Sequence, residues 1–89
     1  MITAEEACKT VKENIEIESN AILQEINDEI ESLIKVVNEP IFAIDKEIVS
    51  YAYPLVEKML TNCGYIVTAE AINGGKQVHI NISWLEQLK

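Results

Sequence analysis

Ten positions in the first half of the chain fall on one line: Ala4, Cys8, Val11, Ile15, Ser19, Ile22, Ile26, Ile30, Leu33 and Val37. The steps between them run 4, 3, 4, 4, 3, 4, 4, 3, 4. This is an eleven-residue repeat of about 3.67 residues per step, which hardly drifts around a straight α-helix. Nine of the ten are apolar or Cys, and Ser19 is the single interruption. The helix expected over residues 3–39, taken as about 35 residues, is about 52 Å long at about 1.5 Å per residue. A compact chain of this length has a radius of gyration of only about 12 Å. The rest of the protein is therefore expected to cover only part of the line. The uncovered apolar surface calls for a partner, and the simplest partner is a second copy. The expected seam between copies is Val11, Ile15, Ile22, Ile26, Ile30 and Leu33.

The ends of this helix are marked. Thr3 and Glu6 form a capping-box pattern, in which the Thr hydroxyl accepts from the backbone three residues on. Glu5 and Glu6 suit the positive end of the helix dipole. No Pro or Gly interrupts the span until Asn38-Glu39-Pro40, where the residue before Pro is driven out of the α region. Ser19-Asn20 is the obvious place for a break. The phase of the repeat is the same on both sides of it, which predicts an unbroken helix. Cys8, on the line, reads as a small buried hydrophobe. Leu23 and Ile34 widen the line in its second half; Ile17 lies off it.

The 89 residues make one domain, with a net charge of −8. Residues 1–39 hold ten acids against Lys9, Lys12 and Lys35, a net of −7, so the acidity belongs to the helix. The chain has no Arg. An acidic surface without guanidinium groups argues against nucleic acid as a partner, since that affinity comes from Lys and Arg neutralising phosphates. No apolar run approaches the roughly 20 residues of a membrane span, and no secretory leader is expected. Two Cys do not make a disulfide framework. A Cys8–Cys63 bridge is open in principle, but an intracellular chain keeps both thiols reduced.

Residues 40–89 read as a small α/β part. Ile41-Phe42-Ala43-Ile44 is expected as a short buried strand, with Asp45-Lys46-Glu47 as a turn whose Asp45 caps the second helix. Ile48, Val49, Ala52, Leu55, Val56, Met59 and Leu60 trace that amphipathic helix to about Asn62. Pro54 within it implies either a kink or a start near Ser50. Gly64 is a natural stop. The last third reads as a hairpin turning at Asn73-Gly74, the strongest two-residue type I′ signal. That tip pairs Ala69 with Val78, Val67 with Ile80 and Tyr65 with Ile82, sorting apolar side chains to one face. The expected fold is α+β: a long helix, a short strand, a second helix and a C-terminal hairpin, three strands with the helices on one face.

Motifs for chemistry are few. His79 is the only histidine. The register places it on the polar sheet face with Thr68, Glu70, Gln77 and Asn81, which together form the candidate ligand-binding set. Such alternating polar residues are ordinarily the wet side of a sheet, and general acid–base work needs a pocket that orients the imidazole. One His and two distant Cys match no zinc spacing. The acids lie on a helix rather than in a calcium-type loop. Asn73-Gly74-Gly75-Lys76 lacks the strand–loop–helix context of a phosphate loop. Tyr51 and Tyr53 fit partial core burial or an interface. No catalytic residue, metal site or cofactor is expected.

The layout, with Cys63-Gly64-Tyr65-Ile66-Val67 after the second helix and a last strand Val78-His79-Ile80-Asn81-Ile82-Ser83-Trp84, resembles small accessory proteins of bacteriophages and prophages. In that group Gly64, Tyr65, Val67, Ile82, Ser83 and Trp84 look structural. The resemblance implies expression in the host bacterial cytoplasm and a non-enzymatic role. The function expected first is a homo-oligomeric binding protein acting by stoichiometric contact with a host or phage component, such as a host-defence inhibitor. Two other expectations stand beside it. One is a sponge for a nucleotide-like small molecule in pockets between subunits; the other is a virion or assembly component.

Overall fold

The computed structural model describes residues 1–35 and 38–88. The chain forms helix α1 (Ala4–Ile34), strand β1 (Ala43–Val49), a 3-10 turn (Ser50–Ala52), helix α2 (Tyr53–Asn62), strands β2 (Ile66–Ile72) and β3 (Gln77–Ser83), and a closing 3-10 turn (Leu85–Leu88). The three strands make one antiparallel sheet in the order β1-β3-β2. The fold is α+β, as expected.

Helix α1 starts where the sequence marks it. Thr3 is the N-cap, and its Oγ1 accepts from the Glu6 backbone N–H at 3.1 Å. The helix runs through Ser19-Asn20 without a break. It ends at Ile34 with Lys35 as C-cap, earlier than the expected residue 39. The Val-Val-Asn tract beyond Lys35 has weak helix propensity. Val37, the last position of the expected line, lies outside the described residues.

The apolar line is divided at Ser19. Its second half, Ile22, Ile26 and Ile30, is buried in the chain's own core with Ile44, Ile48, Ala52, Val56, Leu60, Val78, Ile80 and Ile82. Leu33 packs against that core from its margin. The expectation that Ile22, Ile26 and Ile30 join copies together is therefore corrected; Leu33 stays partly exposed. The second helix and the sheet cover the three isoleucines, and Ile26 is only 1% exposed. The first half extends past the globule. Val11 is 57% exposed, Ile15 is half-buried, and Ala4 and Cys8 are exposed or nearly so. Cys8 is thus no core residue; it stands exposed on the projecting half of the helix. The molecule measures 59 × 25 × 20 Å, with a radius of gyration of 15.5 Å rather than the roughly 12 Å of a compact chain.

β1 is longer than expected and begins later. Asp45-Lys46-Glu47 is not a turn but the middle of the strand, and Asp45 caps no helix. Alternation explains this: Ile44, Lys46 and Ile48 point to the helices while Asp45 and Glu47 point away. Lys46 sits on the inner side because its ammonium reaches the rim of α1. There Nζ lies 2.9 Å from Glu25 Oε1 and 3.7 Å from Glu29 Oε2. Glu25 holds the ammonium above its ordinary pKa of 10.5, against some desolvation. Ile48 and Val49 therefore belong to the strand. The second helix starts after the 3-10 turn, with Pro54 in its first turn, where a missing N–H costs nothing.

α2 stops at Gly64 in a Schellman arrangement. The N–H of Tyr65 reaches Leu60 O at 3.2 Å and that of Gly64 reaches Thr61 O at 3.0 Å, with Gly64 at φ 94°. Tyr65 then meets Trp84 edge to face, ring centroids 6.2 Å apart. In the hairpin, Ala69 pairs with Ile80, Val67 with Ile82 and Ala71 with Val78. The expected register is thus off by two residues. The tip holds four residues rather than two, with Asn73, Gly74 and Gly75 all at positive φ. A shift of two keeps every side chain on its face, so alternation alone does not choose between the registers. Tertiary contact chooses: Ser50 N–H donates to Lys76 O, and Ser50 Oγ to Gly75 O, tying the tip to the end of β1.

Ser19 marks the boundary between the covered and uncovered halves. It is fully buried, and its hydroxyl has no hydrogen-bond partner among the described residues. A buried hydroxyl without a partner costs about 1–3 kcal/mol. Ser19→Ala is accordingly expected to leave stability unchanged or raise it by about 1 kcal/mol. Ile26→Ala should cost about 2–5 kcal/mol. Urea denaturation of the two variants at equal protein concentration checks both; a large loss in Ser19→Ala would mean that the hydroxyl has a partner.

Candidate functional site

The sheet has a face that no helix covers, and β3 runs down its centre. Strand alternation sends Gln77, His79, Asn81 and Ser83 to this side, with Asp45 and Glu47 from β1 and Ile66, Thr68, Glu70 and Ile72 from β2. The pairings set these side chains in rows. Asp45, Asn81 and Thr68 form one row, Glu47, His79 and Glu70 the next, and Val49, Gln77 and Ile72 the last. The five residues expected on one polar face, Thr68, Glu70, Gln77, His79 and Asn81, do share it. Their partners differ from expectation by the two-residue shift: Glu70 rather than Thr68 stands across from His79.

β1 supplies what the spacing does not reveal. His79 Nε2 lies 3.2 Å from Asp45 Oδ1, and Nδ1 lies 4.0 Å from Glu47 Oε1. Asn81 Nδ2 donates to the same Asp45 oxygen at 3.1 Å. Sequence reasoning misses Asp45 and Glu47 because three consecutive polar residues resemble a turn. Their period-two alternation with Ile44, Lys46 and Ile48 is the signal that could find them. The hydrogen bond from Asn81, and then that with His79, holds the Asp45 carboxyl below its ordinary value of 3.8.

This face carries His79 beside Asp45 and Glu47, with Glu70 level with it on β2, all open to water in whole or part. Phosphate groups approaching it meet Asp45, Glu47 and Glu70 together, so the arrangement disfavours a nucleotide-like anion and favours a cationic group. Among the described residues there is no group of three or more His, Cys, Asp or Glu placed to hold a metal ion. Cys8 and Cys63 are both free and exposed. Tyr53 packs against the core, and burial raises its hydroxyl pKa, with Glu57 adding to the shift. Tyr51 stays 57% exposed. No described helix is long and apolar enough to cross a membrane.

The residues expected to join copies fall into two places. Val11 and Ile15 lie on the projecting arm; Ile22, Ile26, Ile30 and Leu33 lie in or against the core. Of these, Ile22, Ile26 and Ile30 are closed off by the core, while Val11 and Ile15 on the arm, and Leu33 in part, stay accessible. No protein-family model matches the chain, and neither a curated protein nor a solved structure matches it.

A lowered carboxyl pKa in the folded state means that Asp45 contributes stability above its ordinary value and loses that contribution as pH falls through the lowered one. Asn81→Ala removes the largest cause of the shift. The Asp45 titration midpoint, followed by carbon-detected NMR, is expected to move up toward the ordinary value. An unchanged midpoint would show that Asn81 does not hold the carboxylate.

Proposed function

We propose that the chain is a non-enzymatic, homo-oligomeric binding protein that assembles through the arm of α1 and acts by stoichiometric contact with another macromolecule. The observation that carries this reading is the continuation of the core-forming line beyond the core. Ala4, Cys8, Val11 and Ile15 stand in phase with Ile22, Ile26 and Ile30, yet they lie outside the chain's own core. A row of apolar residues on one side of an isolated helix is stable in water only if something packs on it.

The partner fits a basic protein surface better than a nucleotide-like ligand. The arm carries Glu5, Glu6, Glu13, Glu16 and Glu18, and the open sheet face carries Asp45, Glu47 and Glu70. The net charge of −8 with no Arg sets both against nucleic acid. The phage resemblance supports action in a host bacterial cytoplasm on a host or phage component, and a host-defence protein is the form of target this reading names.

Mass in solution tests the assembly. Light scattering on the purified chain is expected to give a multiple of 10.0 kDa. The double variant Val11→Glu/Ile15→Glu is expected to give the single-chain mass with its core intact. A wild-type chain that remains at single-chain mass at high concentration would remove the basis of the proposal.

A further inference from the structure

The position of the globule along α1 restricts how two arms can meet. The chain's own α2, sheet and 3-10 turn sit on the line that includes Ser19, Ile22, Ile26 and Ile30. The exposed Ala4, Cys8 and Val11 and the half-buried Ile15 lie on that same line. The arm and the globule therefore enclose an inside corner. One side is the apolar row of residues 4–15, and the other is the shoulder made by the 3-10 turn Ser50–Ala52, which packs against α1.

A second α1 packed parallel on this row would carry its own globule into the space the first globule fills. Packed antiparallel, it brings only its arm into the corner, and its globule lies beyond the first arm's tip. We infer that two copies pair arm against arm, antiparallel, each arm seated in the other's corner, an arrangement that rests on the homo-oligomer reading above.

Two further observations fit this geometry. The row steps 4, 3, 4 from Ala4 to Ile15, the same read in either direction. Antiparallel pairing about a two-fold between Lys9 and Thr10 therefore sets Ala4 level with the partner's Ile15 and Cys8 level with the partner's Val11. In this register Met1 and Ile2 arrive at the partner's shoulder, where Tyr51 is exposed. Met1, Ile2, Val11 and Tyr51 are all strongly exposed in the single chain, and the pairing covers all four.

The shoulder is needed to reach a stable interface area. An arm of about 15 residues is about 22 Å long, and half the girth of a helix about 10 Å across gives about 350 Å² per arm. Two arms alone bury about 700 Å², short of the roughly 1,200 Å² at the lower end of stable interfaces. Two tip-to-shoulder contacts supply the remaining area. Tyr51, far from the arm in sequence, becomes part of the interface.

Disulfide trapping tests the arrangement. Cys63→Ser leaves Cys8 as the only thiol; the triple variant Cys8→Ser/Val11→Cys/Cys63→Ser leaves a thiol only at position 11. Oxidising an equimolar mixture is expected to give the mixed covalent dimer at well above the twofold excess over either like pair that random pairing gives, as resolved by intact mass. Separately, Tyr51→Glu is expected to weaken the dimer about tenfold, an interface loss of about 1.4 kcal/mol. Predominant linkage of position 8 to position 8, or a Tyr51→Glu dimer as tight as wild type, would overturn the antiparallel pairing while leaving oligomerisation standing. A single-chain mass for the wild type would overturn both and would mean that something other than a second copy covers the row.

Discussion

Everything in this molecule is arranged around the burial of one side of α1 between Ser19 and Leu33. The three isoleucines there meet Val56 and Leu60 of α2 and the inner faces of β1 and β3, so the helix acts as the lid of a small one-sided sheet. A three-stranded sheet with one dry face needs such a layer, and α1 shares with α2 the cover of Ile44, Ile48, Ile80 and Ile82. The Lys46 bridge to Glu25 and Glu29 fastens the edge of that lid to β1, with the lysine stem covering apolar surface and its ammonium meeting two carboxylates one helical turn apart.

Much of this is legible from residue spacing. The period of α1, its start at Thr3, its continuity through Ser19 and the helix stop at Gly64 are local properties, and the structure keeps them. So is the sorting of the hairpin into a dry and a wet face. The errors have a common cause: each required knowledge of a distant segment. The hairpin register is shifted by two because Ser50, about 25 positions away, holds its tip. Asp45-Lys46-Glu47 reads as a turn until Lys46 is seen to have carboxylates on α1 to meet. Where the globule ends along α1 is not legible either, since Ile22 and Val11 are equivalent in pattern and differ only in what folds back over them.

The same limit applies to the candidate site. Period alone places Thr68, Glu70, Gln77, His79 and Asn81 on one face, and they lie there. What gives that face its character comes from β1, whose Asp45 and Glu47 turn a mixed polar surface into a negative one. A small change of strand boundary thus changes the class of ligand the face suits.

The projecting half of α1 also has a bearing on its own persistence. About four turns of helix with no tertiary support are marginal in water, since a segment of roughly 15 residues barely offsets the cost of its nucleus. Here the nucleus is supplied by the anchored half, and the Thr3 cap closes the free end. Fraying from that end is opposed only by local bonds until a neighbour arrives. Helix content is therefore coupled to encounter: dilution should shorten the rod as it separates the chains.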